Sequence, residues 1–162
     1  MAKRDPKASE KFIAKNRRAH HDLAIEDHLE AGLALVGSEV KSCRAGSVSL
    51  QDAYVLVDRG EAFLVNAHVA EYTAANRFNH VPTRRRKLLL HRREIDKLEV
   101  RLLQQGQVAV PLALYFKAGR VKADIGIGKG KRYADRRESV REREAAREVA
   151  RVMRRRRSSG ER

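Results

Sequence analysis

Residues 84–93 hold six cations and no carboxylate. Arg84, Arg85, Arg86 and Lys87 run directly into Leu88, Leu89 and Leu90, and His91, Arg92 and Arg93 follow. The chemistry available to such a run is electrostatic, with fixed cations meeting phosphate oxygens. The leucines are expected to anchor the run in the core, and cations held rigidly lose less entropy on meeting a phosphate backbone. Two other segments are basic. Residues 1–21 carry seven basic and two acidic side chains, and residues 129–162 carry fourteen and six. The rest of the chain is mildly acidic, although the whole carries a net charge of +15. Solubility needs no such clustering, because charge spread over the surface suffices. A membrane-surface role would need bulky apolar residues beside the cations of the tail, and they are missing.

Other chemistries find little support. His20 and His21 are adjacent, so on a strand they point to opposite faces. His28, His68, His80 and His91 show no close pairing and no helical H-x-x-x-H spacing. Cys43 is the single cysteine, which excludes a disulfide framework and a multi-cysteine zinc site, and it reads as a small buried thiol. Residues 126–131, GIGKGK, resemble a phosphate loop. They lack the G-x-x-x-x-G-K-[ST] spacing and the magnesium-binding hydroxyl, and read instead as a flexible hinge. Glu26 and Asp27 show no sign of the burial that tunes carboxylates for acid–base work. The expectation is a binder without cofactor, metal or catalytic residue. With four Phe, four Tyr and no Trp, a base-stacking platform is thin, so structured RNA read through shape and backbone is favoured.

The elements that must position these groups follow from periodicity. Residues 1–19 read as a basic arm, with Phe12 and Ile13 able to pin it. Strands are expected over 22–25 and over 29–36, the second bending at Gly32. A short helix over 37–46 takes Ser38 as its cap and places Val40 and Cys43 on one face. Residues 54–57 and 62–65 form a hairpin about Arg59-Gly60. Residues 71–86 are a long, functional loop. Ile95, Leu98 and Leu102 mark a helix over 91–105 that Gly106 ends. Val108, Val110, Leu112, Leu114 and Phe116 alternate with smaller residues in the clearest strand, and Pro111 marks an edge or bulge. A turn over 117–120 leads to a strand in which Val121, Ala123, Ile125 and Ile127 alternate with Lys122, Asp124 and Gly126. Five or six strands with two short helices favour a mainly β fold, a small antiparallel barrel of the oligonucleotide-binding (OB) type. The division expected is a basic arm over 1–19, a barrel over 20–128 and a basic tail over 129–162.

Length, at 162 residues, predicts one domain with a tail. No run reaches the ~18 apolar residues of a membrane span, and the charged first residues lack a secretory apolar stretch, so a cytoplasmic protein is expected. In the tail, Glu144–Arg147 and Glu148–Arg151 are supportive pairs, whereas Arg143, Arg147, Arg151 and Arg155 form a column of like charge. The tail is therefore expected to be disordered alone and helical on a polyanion.

Four blocks carry a resemblance to the SsrA-binding protein family, also called small protein B. They are EAGLALVGSEVKSCRAG (30–46), GEAFLVNAHVAEY (60–72), NHVPTRRRKLLLHRREIDKL (79–98) and VPLALYFKAGRVKADIGIGKGKRYADRR (110–137). The resemblance implies an OB-type barrel that binds the tRNA-like domain of transfer-messenger RNA. It implies delivery to stalled ribosomes for trans-translation, where incomplete proteins are tagged for degradation. Elongation factor Tu would be an indirect partner through the charged RNA. The tail would fold as a helix in the empty mRNA channel beyond the small-subunit decoding centre.

By motif, Glu30, Leu89, His91 and Lys122 resemble RNA-side residues of the barrel. Arg84, Arg86, Lys87, Arg92, Lys129 and Lys131 join them as cations. Asp135, Arg136 and Arg137 resemble the family's D-K-R motif, and Val152 and Met153 an apolar pair near the tail's end. With Arg143, Arg147 and Arg151 they make up the expected ribosome-binding tail. Position 134 is Ala where the family usually carries Tyr or His, with Tyr133 one residue earlier, and position 145 is Ala where some members carry an aromatic. A monomer is expected, without membrane contact. The alternative reading is a general structured-RNA-binding or ribosome-assembly protein.

Overall fold

A computed structural model describes residues 11–104 and 106–131 and, further on, 144, 146–148 and 151. Nine strands and three α-helices are found among them, in the order β1 (Lys11–Lys15), α1 (Arg17–Asp22), β2 (Leu23–Leu33), α2 (Gly37–Arg44), β3 (Val48–Ser49), β4 (Tyr54–Asp58), β5 (Glu61–Val65), β6 (His68–Val69), a 3-10 helix (Thr73–Phe78), β7 (Arg86–Leu89), α3 (Arg92–Leu103), β8 (Gln107–Lys117) and β9 (Arg120–Gly130). Seven strands share one antiparallel sheet in the order β1-β8-β4-β5-β7-β2-β9. β9 also pairs β8, so the hydrogen-bonded order runs from β8 through β4, β5, β7, β2 and β9 back to β8. The sheet is thus barrel-like and mainly β, as the alternating patterns predict.

Two tight turns hold the long pairings in register. Arg59 and Gly60 both have positive φ (50° and 75°), as do Ala118 and Gly119 (49° and 74°). Two consecutive left-handed residues suit the twist of a two-residue hairpin. Ala31, Val55, Leu64, Leu88, Leu98, Leu114, Ala123, Ile125 and Ile127 fill the core. α3 closes one side of it with Ile95 and Leu98, and His91 precedes its first residue with a backbone N–H that donates to Glu94 Oε2 at 2.8 Å.

Several expectations are corrected. The arm over 1–19 is part of the sheet from residue 11, because Phe12 and Ala14 find partners in Tyr115 and Leu114 of β8. The two strands expected at 22–25 and 29–36 are one, with a bulge between Ile25 and Asp27. Ser38 does not cap α2. Its hydroxyl meets His80 Nδ1 at 2.9 Å, and Glu39 instead accepts from the Val36 N–H. In β8 the alternation changes phase at a bulge between Pro111 and Ala113. Before it Ala109 and Pro111 face inward and Val108 is exposed; after it Leu114 is buried.

The hinge read at 126–131 is a strand through Gly130, and two of its glycines, Gly126 and Gly128, are there for space. A Cβ on Gly128 would lie 2.0 Å from the Ala24 carbonyl oxygen, and one on Gly126 would lie 2.7 Å from Leu112. The first compact unit accordingly runs to Gly130, two residues past the expected limit. In the second unit, residues 131–162, the described positions Glu144, Ala146, Arg147, Glu148 and Arg151 are helical and exposed.

Candidate nucleic-acid interface

β7 has four residues, and period-two geometry sends alternate side chains to opposite faces. Arg86 and Leu88 turn inward and Lys87 and Leu89 outward. Leu88 is 1% exposed and Leu89 54%. The register then aligns one row across five strands. Leu89 opposes Gly32 on β2, Gly32 opposes Lys122 on β9, Lys122 opposes Tyr115 on β8, and Tyr115 opposes Phe12 on β1. Gly32 leaves the Leu89 side chain room to lie across the strand, since a Cβ there would meet Leu89 Cβ at 3.2 Å. At the other end of the row Phe12 and Tyr115 meet edge to face, with centroids 6.0 Å apart, and Lys15 Nζ lies 3.8 Å from the centre of the Phe12 ring.

Glu30 is two residues from Gly32 on the same face and opposes Asp124. It accepts from the Tyr115 hydroxyl at 2.7 Å and from Lys117 Nζ at 2.7 Å. Partial burial pushes its carboxyl up. The hydrogen bonds from Lys117 and Tyr115, with the charges of Lys117 and Lys122, outweigh that and hold it below the ordinary value. Glu30 therefore stays ionised as an acceptor between two lysines and a phenol. Asp124 stands 3.2 Å from His28 Nδ1. On the far side of β7, Lys87 opposes Phe63 on β5 and pairs Glu61. Arg85 covers the Phe63 ring at 4.0 Å and reaches Asp58 at 2.9 Å.

The structure brings together Glu30, Lys87, Leu89 and Lys122. His91 and Arg92 are exposed where the chain passes from β7 into α3, and Arg92 is held by Asp96 at 3.1 Å and by the Gly60 carbonyl. Lys129 is exposed near the end of β9, but it stands seven residues, roughly 23 Å, from Lys122 along the strand, so it does not join the row. Lys131 follows the end of β9 and is half-buried. Of the tail residues, Arg147 and Arg151 are exposed on helical backbone. Asp135, Arg136, Arg137, Arg143, Val152 and Met153, like Tyr133 and Ala134, lie outside the described residues.

Arg86 is corrected outright. It is 0% exposed and every nitrogen is spent inside: Nε on Glu39 Oε1 at 2.8 Å, Nη1 on the Ala67 and Arg84 carbonyls, and Nη2 on the Pro82 carbonyl. Arg84 also turns to Glu39, at 2.7 Å and 2.5 Å, and to the Ala34 and Arg85 carbonyls. Both arginines organise the strand and its loop, and the buried Arg86 has no nitrogen left to meet a phosphate, whereas the Arg84 side chain stays 32% exposed. Glu39 is fully buried between them. Burial pushes its carboxyl up, but hydrogen bonds from Arg84 and the Val36 N–H, with both guanidinium charges, carry it below the ordinary value. Burial also pushes the nearby Cys43 thiol up to about 11, with the Glu39 charge adding to it, which makes it a weak nucleophile.

Glu39, Phe63, Tyr115 and Lys117 belong to this arrangement and escaped the sequence reading, which takes Arg85 only as one cation of the 84–93 run. Strand parity in RKLL could have turned Arg86 inward, but nothing local points from Glu39 to a loop some 45 residues away.

The chain compares closely with known proteins. The family model described as SmpB protein matches residues 13–155. An SsrA-binding protein of Geobacillus sp. (strain WCH70) is 52% identical over 151 residues, covering 93% of this chain and 97% of the relative. One from Thermobifida fusca (strain YX) is 52% identical over 155 residues, covering 96% and 97%. A solved structure described as "tmRNA-SmpB: a journey to the center of the bacterial ribosome" superposes with a TM-score of 0.64 at 41% identity, covering 79% of this chain and 94% of that one. A face of cations, carboxylates and an exposed leucine on a barrel-like sheet, with the family pattern running from residue 13 to 155, places the chain in the SmpB family of SsrA-binding proteins.

Proposed function

We propose that this chain binds transfer-messenger RNA and acts with it in trans-translation at stalled ribosomes, as a binding protein and not an enzyme. The observation that carries the reading is the row Leu89–Gly32–Lys122–Tyr115, flanked by Glu30 and Lys87, on the face of a barrel-like sheet. It offers cations for phosphates, a carboxylate for ribose or base donors, and an apolar side chain in the open. That combination suits a folded RNA met through its backbone and minor groove. The relatives' name, SsrA-binding protein, and a structural neighbour described with tmRNA and the bacterial ribosome support the same two partners.

The finer reading assigns the barrel to the tRNA-like domain and the tail to the small subunit. Arg147 and Arg151, both exposed on helical backbone, offer cations that a nucleic-acid-lined channel would neutralise. The tail occupies the empty mRNA channel near the decoding centre, with Asp135, Arg136, Arg137, Arg143, Val152 and Met153 contributing. Elongation factor Tu joins through the charged RNA, and the protein acts as a cytoplasmic monomer. Among the described residues no helix is long and apolar enough to cross a membrane.

Removing residues 131–162 tests the division of labour. Affinity for the tRNA-like domain is expected to persist within a few-fold, while tagging of a nascent chain on a stalled ribosome is lost. Loss of both together would refute the division. Competition with bulk tRNA tests the partner, and equal affinity for both RNAs would favour a general RNA binder.

A further inference from the structure

Three cations on or beside the proposed RNA face are paired with carboxylates. Lys87 meets Glu61, Arg85 meets Asp58 at 2.9 Å, and Lys117 meets Glu30 at 2.7 Å. Lys122 acts on Glu30 through its charge, and His28 lies 3.2 Å from Asp124. The carboxylates come from four strands. Asp58 and Glu61 flank the β4–β5 turn, Glu30 is on β2, and Asp124 is on β9. A surface that only gathers phosphate gains nothing from carboxylates placed against its lysines, because they lower the local potential and repel a polyanion. Specificity, by contrast, is often built from such repulsive elements.

We propose that Asp58 and Glu61 are specificity-determining residues that make this face prefer RNA to DNA. The inference rests on the nucleic-acid reading above and deepens it. Ionised carboxylates only accept hydrogen bonds. On an A-form minor groove the rows of 2′-hydroxyls can donate to them, while the neighbouring phosphates fall on Lys87 and Arg85. A deoxyribose backbone brings the same phosphates without those donors, so the carboxylates meet it as uncompensated repulsion. Glu61 and Asp58 are open enough to exchange partners. The side chains in both pairs are 44–47% exposed, so each ion pair is weak and easily redirected to a ligand.

The test is the full-length double variant Asp58→Asn, Glu61→Gln against the parent chain. Each is titrated with an RNA duplex and a DNA duplex of one sequence, at a salt concentration high enough to weaken contacts from the basic tail. The parent is expected to favour RNA. In the variant, DNA affinity rises by about threefold per carboxylate, roughly tenfold in all, while RNA affinity changes far less, so the preference narrows. An equal rise for both duplexes reduces the carboxylates to general screening and overturns the inference, as does no change in either. If the parent binds neither duplex and not the tRNA-like domain, the nucleic-acid reading itself falls and takes this inference with it. A parent that binds RNA while the variant keeps the same RNA-to-DNA ratio overturns the inference alone. Thermal melting of both proteins checks that exposed amides have left the fold intact.

Discussion

Arg86 Nε lies 2.8 Å from Glu39 Oε1, and both side chains are sealed from solvent. The pair joins α2 to β7, and through the Ala67 and Pro82 carbonyls it also ties down the segment that leads into β7. Burying two ions is costly, and it is tolerated here because the Arg86 nitrogens and both Glu39 oxygens have hydrogen-bond partners. The pair orients a strand whose outward residues, Lys87 and Leu89, face solvent.

Replacing Glu39 with Gln leaves a buried guanidinium without its counter-charge. Removing one partner of a buried pair costs about 3–5 kcal/mol. Urea unfolding of Glu39→Gln is expected to show a loss of that order. A loss under about 1 kcal/mol would mean that the pair contributes little.

The same carboxylate gives the protein an acid limit. Because folding lowers its pKa below the ordinary 4.5, the unfolded chain binds the proton more tightly. The contribution of Glu39 is then fully present above about 4.5 and is lost as pH falls through the lower folded value. Melting temperatures of the parent are expected to fall below pH 4.5, and Glu39→Gln should show a shallower fall. Parallel curves for the two proteins would remove Glu39 from the account.

Gly128→Ala places a methyl group 2.0 Å from the Ala24 carbonyl oxygen, whereas Gly130 has nothing within 4 Å of its added Cβ. The first substitution is expected to cost at least about 1–3 kcal/mol by overpacking, and the second little. Denaturant melts of the two variants check this. Equal tolerance would restore the hinge reading.

Leu88 and Leu89 are neighbours with opposite duties. Leu88→Ala is expected to cost about 2–5 kcal/mol of stability through a cavity. Leu89→Ala, at an exposed site, should change stability by under about 1 kcal/mol while weakening RNA binding several-fold. Paired melting and filter-binding measurements decide it. A strongly destabilised Leu89→Ala would put that side chain in the core.

Much of the architecture follows from short-range rules written in the chain. Arg59-Gly60 and residues 117–120 turn where left-handed residues are tolerated. Ile95, Leu98 and Leu102 repeat at helical spacing, and Pro111 interrupts its ladder with the bulge its missing N–H demands. Glu30, Lys87, Leu89 and Lys122 were legible as a set because the family blocks contain them. Those blocks did not reveal that Arg86 faces inward, or that residues 11–15 add a strand to β8.

The sequence by itself determined the basic balance, the mainly β content, the two hairpins and the family. Each of these depends on composition, on local periodicity or on contiguous motifs. Tertiary structure alone decided which cations of 84–93 meet solvent. It spent Arg84 and Arg86 on Glu39 and left Lys87 beside an exposed Leu89. The physical reason is that charge is a property of a residue, whereas its availability depends on strand parity and on carboxylates from 26 to 47 positions away.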